Sequence, residues 1–364
     1  MTDTQLLIQT LRRGLNLPAT LTGAGRYDWA KVFHLASRQG VAAIAWDGLQ
    51  RFIAEGAITP AQMPDKSRKL QWALLAEETE KRYAKQRKAI IKLADIYTEN
   101  DIKILILKGY GLSLMYPVPQ HRRCSDVDIW LFGEQQRADE ILRQKLGLSI
   151  DEGRHHHTVF FIDGVMIENH YDFLNIHSHR SNRDIEARLK QLAAEPESIK
   201  IEGRTIYRPN ANCHALFLLR HAAAHFAAVE IVLRHIVDWA MFLKHNHASI
   251  DWPWLREVCR KHNMEHFLDA MNGLVIELCD IEASHLPNTT RRTDLEERIL
   301  NDIITPEFTM PQPQGGLLRI IRYKFRRWWA NRWKHKIVYR DSLMRTLFTQ
   351  TCSHIAKTKS IKQL

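Results

Sequence analysis

Long apolar runs are missing from this chain of 364 residues. No stretch approaches the roughly 18 uninterrupted apolar residues that cross a bilayer as a helix. The opening MTDTQLLIQTLRRG lacks the apolar core and cleavage site of a secretory leader, so none is expected. Cysteine is scarce: Cys124, Cys213, Cys259, Cys279 and Cys352, with no CxxC among them. That spacing argues against a disulfide framework or a structural zinc site, and for a reducing, cytoplasmic setting. Internal repeats are lacking, and no low-complexity tract precedes the C-terminal tail. Acidic residues are nearly missing from that tail. From Arg319 to Leu364 there are 13 Lys and Arg against one acid, Asp341, while the whole chain carries +11. The body is therefore close to neutral, which is not the footprint of a protein that binds nucleic acid on its folded faces.

What is present divides the chain by texture. The first hundred residues read as helical, with an unbroken Ala/Leu/Glu/Lys-rich segment from Asp65 to Asn100. KILIL (103–107) reads as a buried strand, ended by Lys108-Gly109, where a short helix starts. A loop with Pro117 and Pro119 leads to a second strand, and a helix follows from Glu134 to Leu146. HTVFFIDGVMIENHYDF (157–173) reads as a hairpin turning at Asp163-Gly164, with Met166, Glu168, His170 and Asp172 on one face. After Ser181 the pattern is helical again, apart from a stretch at 199–208. These shifts suggest a helical region at 1–100, an α/β core at 101–208, a second helical region at 209–304, a Pro-rich linker at 305–316 and a basic Trp/Arg-rich tail at 317–364.

The second strand poses the chemical question. Aspartate is depleted in strands, yet Asp126 and Asp128 flank Val127 and run into Ile129-Trp130-Leu131. Residues two apart in a strand face the same side, so two negative charges stand together. That costs free energy unless a cation joins them. A third carboxylate, Glu168, lies on a later strand, and an all-oxygen set of this kind suits a hard cation such as Mg²⁺.

The order of these pieces resembles the DNA polymerase β-like nucleotidyltransferase superfamily. ILKGYGLSLMYPVPQHRRCSDVDIWL (106–131) and VMIENHYDF (165–173) are similar to its branch of uncharacterised nucleotidyltransferases, as are LFLLRHAAAHF (216–226) and LRHIVDWAMFL (233–243). The likeness runs through residues 30–260. It implies an α+β fold: a polymerase β-like core, a small mixed sheet with flanking helices, between helical N-terminal and C-terminal regions. It implies Asp126 and Asp128 as metal ligands, with Glu168 either a third ligand or the base for the acceptor's proton. Lys108, Gly109, Arg122, Ser125 and His170 would serve the nucleotide. The implied cofactor is Mg²⁺, two ions, with Mn²⁺ as substitute, and an NTP is the implied substrate. The implied reaction moves an NMP to an unidentified acceptor hydroxyl or phosphate. One position departs from the superfamily pattern: Tyr110 stands where a serine usually follows the glycine, and Ser113 is a weak substitute. That departure keeps a non-catalytic nucleotide-binding module open as an alternative.

Other histidines have ordinary readings. His155-His156-His157 reads as a strand entry, with alternation sending His156 away from its neighbours. His221 and His225 share a helical face, suited to packing or to a cleft wall, and lack the Glu of HExxH. Asp238 is expected to pair with Arg234 or His235, or to reach the cleft. In the tail, Trp329 and Trp333 fall one turn apart beside Ile321, Phe325 and Trp328, amid arginines. Such a segment either packs its aromatics on the helical region or meets an anionic membrane surface at the inner face, with RNA as a lesser partner and an adaptor role as its functional alternative.

Overall fold

The computed structural model describes residues 1–23, 25–311, 313, 315–342 and 344. The stretch of the basic tail from 345 to 364, with Cys352, lies outside the described residues. Three helices open the chain: α1 (Asp3–Gly14), α2 (Trp29–Arg38) and α3 (Ala42–Ala54). The long α4 (Lys66–Thr98) follows, started by the Asp65 carboxylate accepting from the Arg68 amide. Then come β1 (Leu105–Ile106), the single-turn α5 (Tyr110–Ser113), β2 (Asp126–Trp130), α6 (Gln135–Leu146), β3 (His157–Ile162) and β4 (Val165–His170). The remainder is α7 (Arg180–Ala193), β5 (Glu197–Ile201), β6 (Arg204–Arg208), α8 (Ala211–Ala228), α9 (Leu233–Asn246), α10 (Trp252–Lys261), α11 (Glu265–Cys279), α12 (Thr293–Ile304), α13 (Leu317–Ala330) and α14 (Arg332–Val338).

The six strands form one mixed sheet in the order β3-β4-β2-β1-β6-β5. The pairs β1/β2, β3/β4 and β5/β6 are antiparallel; β2/β4 and β1/β6 are parallel. The β3–β4 hairpin turns at Asp163-Gly164, both at positive φ, 50° and 80°, as its sequence predicts. The non-helical stretch at 199–208 belongs to a second hairpin, Glu197–Ile201 and Arg204–Arg208, that turns at Glu202-Gly203, φ 48° and 82°, and extends the sheet at its far edge.

Alternation decides what each sheet face meets. Val127 and Ile129 join Val165 and Ile167 in a core closed by Ala89, Ile90, Leu93 and Tyr97 of α4 and by Ala138 and Leu142 of α6. Each of the Val, Ile and Leu side chains, once buried, contributes about 1.5–3 kcal/mol. Trp130 points to the opposite face, into a larger core that also holds Leu6 and Leu7 of α1, Leu216 and Phe226 of α8, Trp239 and Phe242 of α9, and Ile299 of α12. Helices from both ends of the chain thus share one hydrophobic interior. Asp126 and Asp128 lie on the Trp130 face.

The tail divides. Helix α14 is docked: Lys334, 1% exposed, pairs with Asp302 at 2.6 Å, and Trp333 meets Phe226 edge-on at 5.3 Å. Helix α13 leaves Leu318 (82% exposed), Ile321, Phe325 and Trp329 to solvent. The helix stops at Asn331, which caps α14, so Trp329 and Trp333 do not share the continuous face their spacing predicts. Among the described residues no helix is long and apolar enough to cross a membrane.

Candidate active site

A cleft of about 850 Å³ opens between the polar face of the sheet and α8 and α9. Asp126, Asp128, Glu168, His170, Lys108, Gly109, Arg122 and Ser125 all line it. Parallel pairing sets Asp128 directly opposite Glu168 and Asp126 opposite Met166, so strand register alone brings carboxylates 40 positions apart together.

Asp128 is 1% exposed. Its Oδ1 lies 3.2 Å from the Lys108 ammonium and 3.2 Å from Nε2 of His170. Glu168 faces the same His170 nitrogen at 3.6 Å. Burial alone would push the Asp128 carboxyl up; Lys108 and His170 overcome it and hold the carboxyl well below its usual range. Burial opposes the charge on Lys108 too, but Asp128, Asp126 and Glu168 together raise its pKa. His170 is driven down by burial and up more strongly by hydrogen bonds to Asp128 and Glu168, reaching about 9. Asp126 is less well compensated: burial and repulsion from Asp128 raise its pKa despite the attraction of Lys108, and the Ser125 hydroxyl donates to its Oδ1 at 3.0 Å. The cation that the Asp-x-Asp pair demands is thus supplied here by a lysine and a histidine. One acceptor is left over, since Oδ2 of Asp128 is buried with no hydrogen-bond partner. A hard cation would satisfy that oxygen, so the residues present fit the divalent ion that the motif implies.

The glycine before α5 is required by its backbone. Gly109 has φ +56°, and a Cβ there would lie 2.8 Å from Sγ of Cys124. Tyr110, at the usual serine position, turns the other way, 2% exposed and stacked on Tyr83 at 4.9 Å. It does not line the cleft. Ser113 does not substitute: its hydroxyl donates to the Tyr110 carbonyl at 2.6 Å.

Arg122, 4% exposed, forks onto Asp238 through Nε at 2.7 Å and Nη2 at 2.8 Å. Tyr116 donates to the same carboxylate at 2.5 Å. Asp238 therefore pairs with Arg122 and Tyr116, not with the Arg234 or His235 beside it on α9. The reason is position: α9 turns Asp238 toward the loop before β2, and a guanidinium offers the bidentate match. Nη1 of Arg122 is buried and keeps no hydrogen-bond partner, and Arg122 is among the residues that line the cleft. His221 and His225 of α8 line the cleft with His235 of α9, ring centroids 4.5 and 5.9 Å apart. Burial, with Lys108 and Arg234 nearby, keeps His225 near 4, hence neutral.

The histidine run departs from its expected geometry. Strand β3 begins at His157, so alternation does not govern His156, and the rings of His156 and His157 stand 4.5 Å apart, both on the cleft. Register pairs His157 with His170. The signal was present in the sequence as a hairpin whose arms, counted back from Asp163-Gly164, bring those two histidines level.

A mixed sheet with Asp-x-Asp on one strand, a third acid opposite it on a parallel neighbour and helices on both sides defines an α+β protein of the nucleotidyltransferase-like class. Residues 26–280 match the family described as uncharacterised nucleotidyltransferases, and the chain belongs to that family. It is also similar to the crystal structure of an antigenic nucleotidyltransferase-like protein from Paracoccidioides brasiliensis, with 13% identity over 59% of this chain and 97% of that one, at a TM-score of 0.36. No curated protein matches it.

Proposed function

We propose that the chain is a Mg²⁺-dependent nucleotidyltransferase that moves an NMP from an NTP to an acceptor hydroxyl or phosphate. The observation that carries this reading is the meeting of Asp126, Asp128 and Glu168 on one cleft wall, with a buried carboxylate oxygen left unpartnered. These three residues would hold Mg²⁺, or Mn²⁺ in its stead. The ions would supply positive charge to activate the attacking oxygen and steady the triphosphate. Lys108 and the free Nη1 of Arg122 would meet phosphate oxygens, beside the backbone at Gly109 and the hydroxyl of Ser125. The acceptor oxygen bonds to the α-phosphorus, the bond to the bridging oxygen breaks, and pyrophosphate leaves. The acceptor's proton passes to a carboxylate, for which Glu168, half-buried against His170 and His157, is the candidate.

Titration calorimetry with each NTP, with and without Mg²⁺, tests the binding. Transfer of α-³²P from NTPs to lysate fractions tests the chemistry and sorts acceptors into protein, RNA or small molecule. Metal-independent binding with no label and no pyrophosphate would leave the non-catalytic module, the reading that the inward-turned Tyr110 favours.

Helix α13 supplies the partner surface. Its exposed stripe Leu318, Ile321, Phe325 and Trp329 is flanked by Arg319, Arg322, Lys324 and Arg326, with no acid in the helix. Apolar and cationic groups in that arrangement suit an anionic membrane surface, at about 1 kcal/mol per basic residue in addition to the apolar insertion.

A further inference from the structure

Beside the carboxylates lies a set of nitrogen donors, of which only His170 also touches the acids of the proposed transfer site. The rings of His156, His157 and His170 form a triangle with centroid separations of 4.5, 5.0 and 5.4 Å. One nitrogen from each comes within 4.8 Å of the other two. His157 is 8% exposed, yet neither of its ring nitrogens has a hydrogen-bond partner, and neither does Nδ1 of His156. A buried imidazole ordinarily spends at least one nitrogen on a carbonyl, a carboxylate or another donor.

His170 shows how the third ring is held. Its Nδ1 lies 3.1 Å from the carbonyl oxygen of Asp172, which can only accept, so Nδ1 carries a proton. Nε2, the remaining nitrogen, faces Asp128 Oδ1 at 3.2 Å and Glu168 Oε2 at 3.6 Å, so a metal ion would take the place of the proton it shares with them. A backbone carbonyl fixing one nitrogen so that the other can ligate is the usual support for a metal-binding histidine. The arrangement also follows from the hairpin: pairing fixes His157 beside His170, and the chain entering β3 adds His156.

We propose that His156, His157 and His170 form a nitrogen-rich site for a divalent transition-metal ion, separate in preference from the oxygen ligands of Asp126 and Asp128. Imidazole favours Zn²⁺, Co²⁺ and their neighbours, whereas Mg²⁺ holds to oxygen. Three protein nitrogens leave a fourth position open, and all three histidines border the cleft, so that position faces whatever enters it. Glu168 is at hand, with Oε1 3.8 Å from Nε2 of His157 and Oε2 3.6 Å from Nε2 of His170. The site shares His170 with the carboxylate cluster, while His156 and His157 are donors of its own.

Cobalt(II) is the probe, because its visible ligand-field bands report nitrogen ligation directly. The full-length protein, stripped with EDTA, is titrated with Co²⁺ in the presence of excess Mg²⁺. We expect bands that saturate at one equivalent and persist against Mg²⁺. They weaken at least about tenfold in apparent affinity in His157→Ala and in His156→Ala, each checked by circular dichroism for folding. Asp126→Asn keeps the bands while losing Mg²⁺-dependent NTP binding, so the two sites are separable. Absence of bands in the wild type, ready displacement by Mg²⁺, or full bands in both folded histidine variants overturns the proposal. None of these outcomes bears on NTP binding, which is read separately by calorimetry.

Discussion

Asp126 and Asp128 belong to one motif but sit in opposite electrostatic circumstances, and neutralising each should move stability in different directions. Asp128 holds two cations at 3.2 Å, Lys108 and His170. Asp128→Asn removes the charge that both oppose. Charge-assisted hydrogen bonds contribute about 1.5–3 kcal/mol each. Lys108 is 19% exposed and can turn to water, and His170 can shed its proton, so the net loss is about 2–4 kcal/mol. With an unfolding entropy near 2.1 cal/mol/K per residue, 364 residues give about 1.3 °C per kcal/mol, hence a fall in Tm of roughly 3–5 °C. Asp126 carries burial and repulsion that Lys108 only partly offsets. Asp126→Asn relieves both and keeps an acceptor for the Ser125 hydroxyl, so Tm should hold or rise. Both variants should lose α-³²P transfer by about a thousandfold, as removal of a metal ligand forfeits several kcal/mol of transition-state stabilisation. The assay is thermal denaturation in EDTA, paired with the transfer reaction in Mg²⁺. An equal fall in Tm for both variants, or retained transfer in Asp126→Asn, would refute the reasoning.

Gly109→Ala meets both a positive φ and the Cys124 sulfur, and should cost about 1–3 kcal/mol in urea denaturation while weakening NTP binding. Asp238→Ala strands the Arg122 guanidinium in the interior and should cost about 3–5 kcal/mol, more than Tyr116→Phe, which removes a single hydrogen bond. Away from the cleft, burial depresses the pKa of His179 to about 2, of His214 to about 3 and of His335 to about 4. The unfolded chain binds their protons below about 6.5 while the folded chain does not, so stability falls as pH drops through that window, by up to about 1.4 kcal/mol per unit for each histidine; urea midpoints at pH 7, 6 and 5 check it. Phe325→Glu with Trp329→Glu should abolish co-sedimentation with phosphatidylserine vesicles and leave transfer to a soluble acceptor intact; unchanged sedimentation would remove α13 as the contact.

Much of the site was legible because it rests on local rules. Period-two alternation puts Asp126 and Asp128 on one face, and Asp163-Gly164 has one favoured hairpin geometry, so Glu168 and His170 could be read as neighbours on one strand. The pairing of β2 with β4 was supplied by likeness to a known fold, since nothing local selects a parallel partner. What stayed hidden was set by tertiary packing. Asp238 chose a guanidinium 116 positions away over the arginine four residues before it. Tyr110 took its orientation from Tyr83 on α4. His156 escaped a strand rule because the strand starts one residue later. The tail read as one amphipathic element, but the break at Asn331 gave its two halves different fates.

The shared interior of the first and last helices has a practical bearing on how the protein can be cut. The family match begins at residue 26 and ends at 280, yet Leu6, Leu7 and Leu11 before it and Ile299, Ile303 and Val338 after it all pack into the same mass of side chains. The segment that relatives hold in common is therefore smaller than the segment that must collapse together. A clone trimmed to the common portion would expose raw apolar surface at both seams, and would be expected to precipitate before any chemistry could be measured on it.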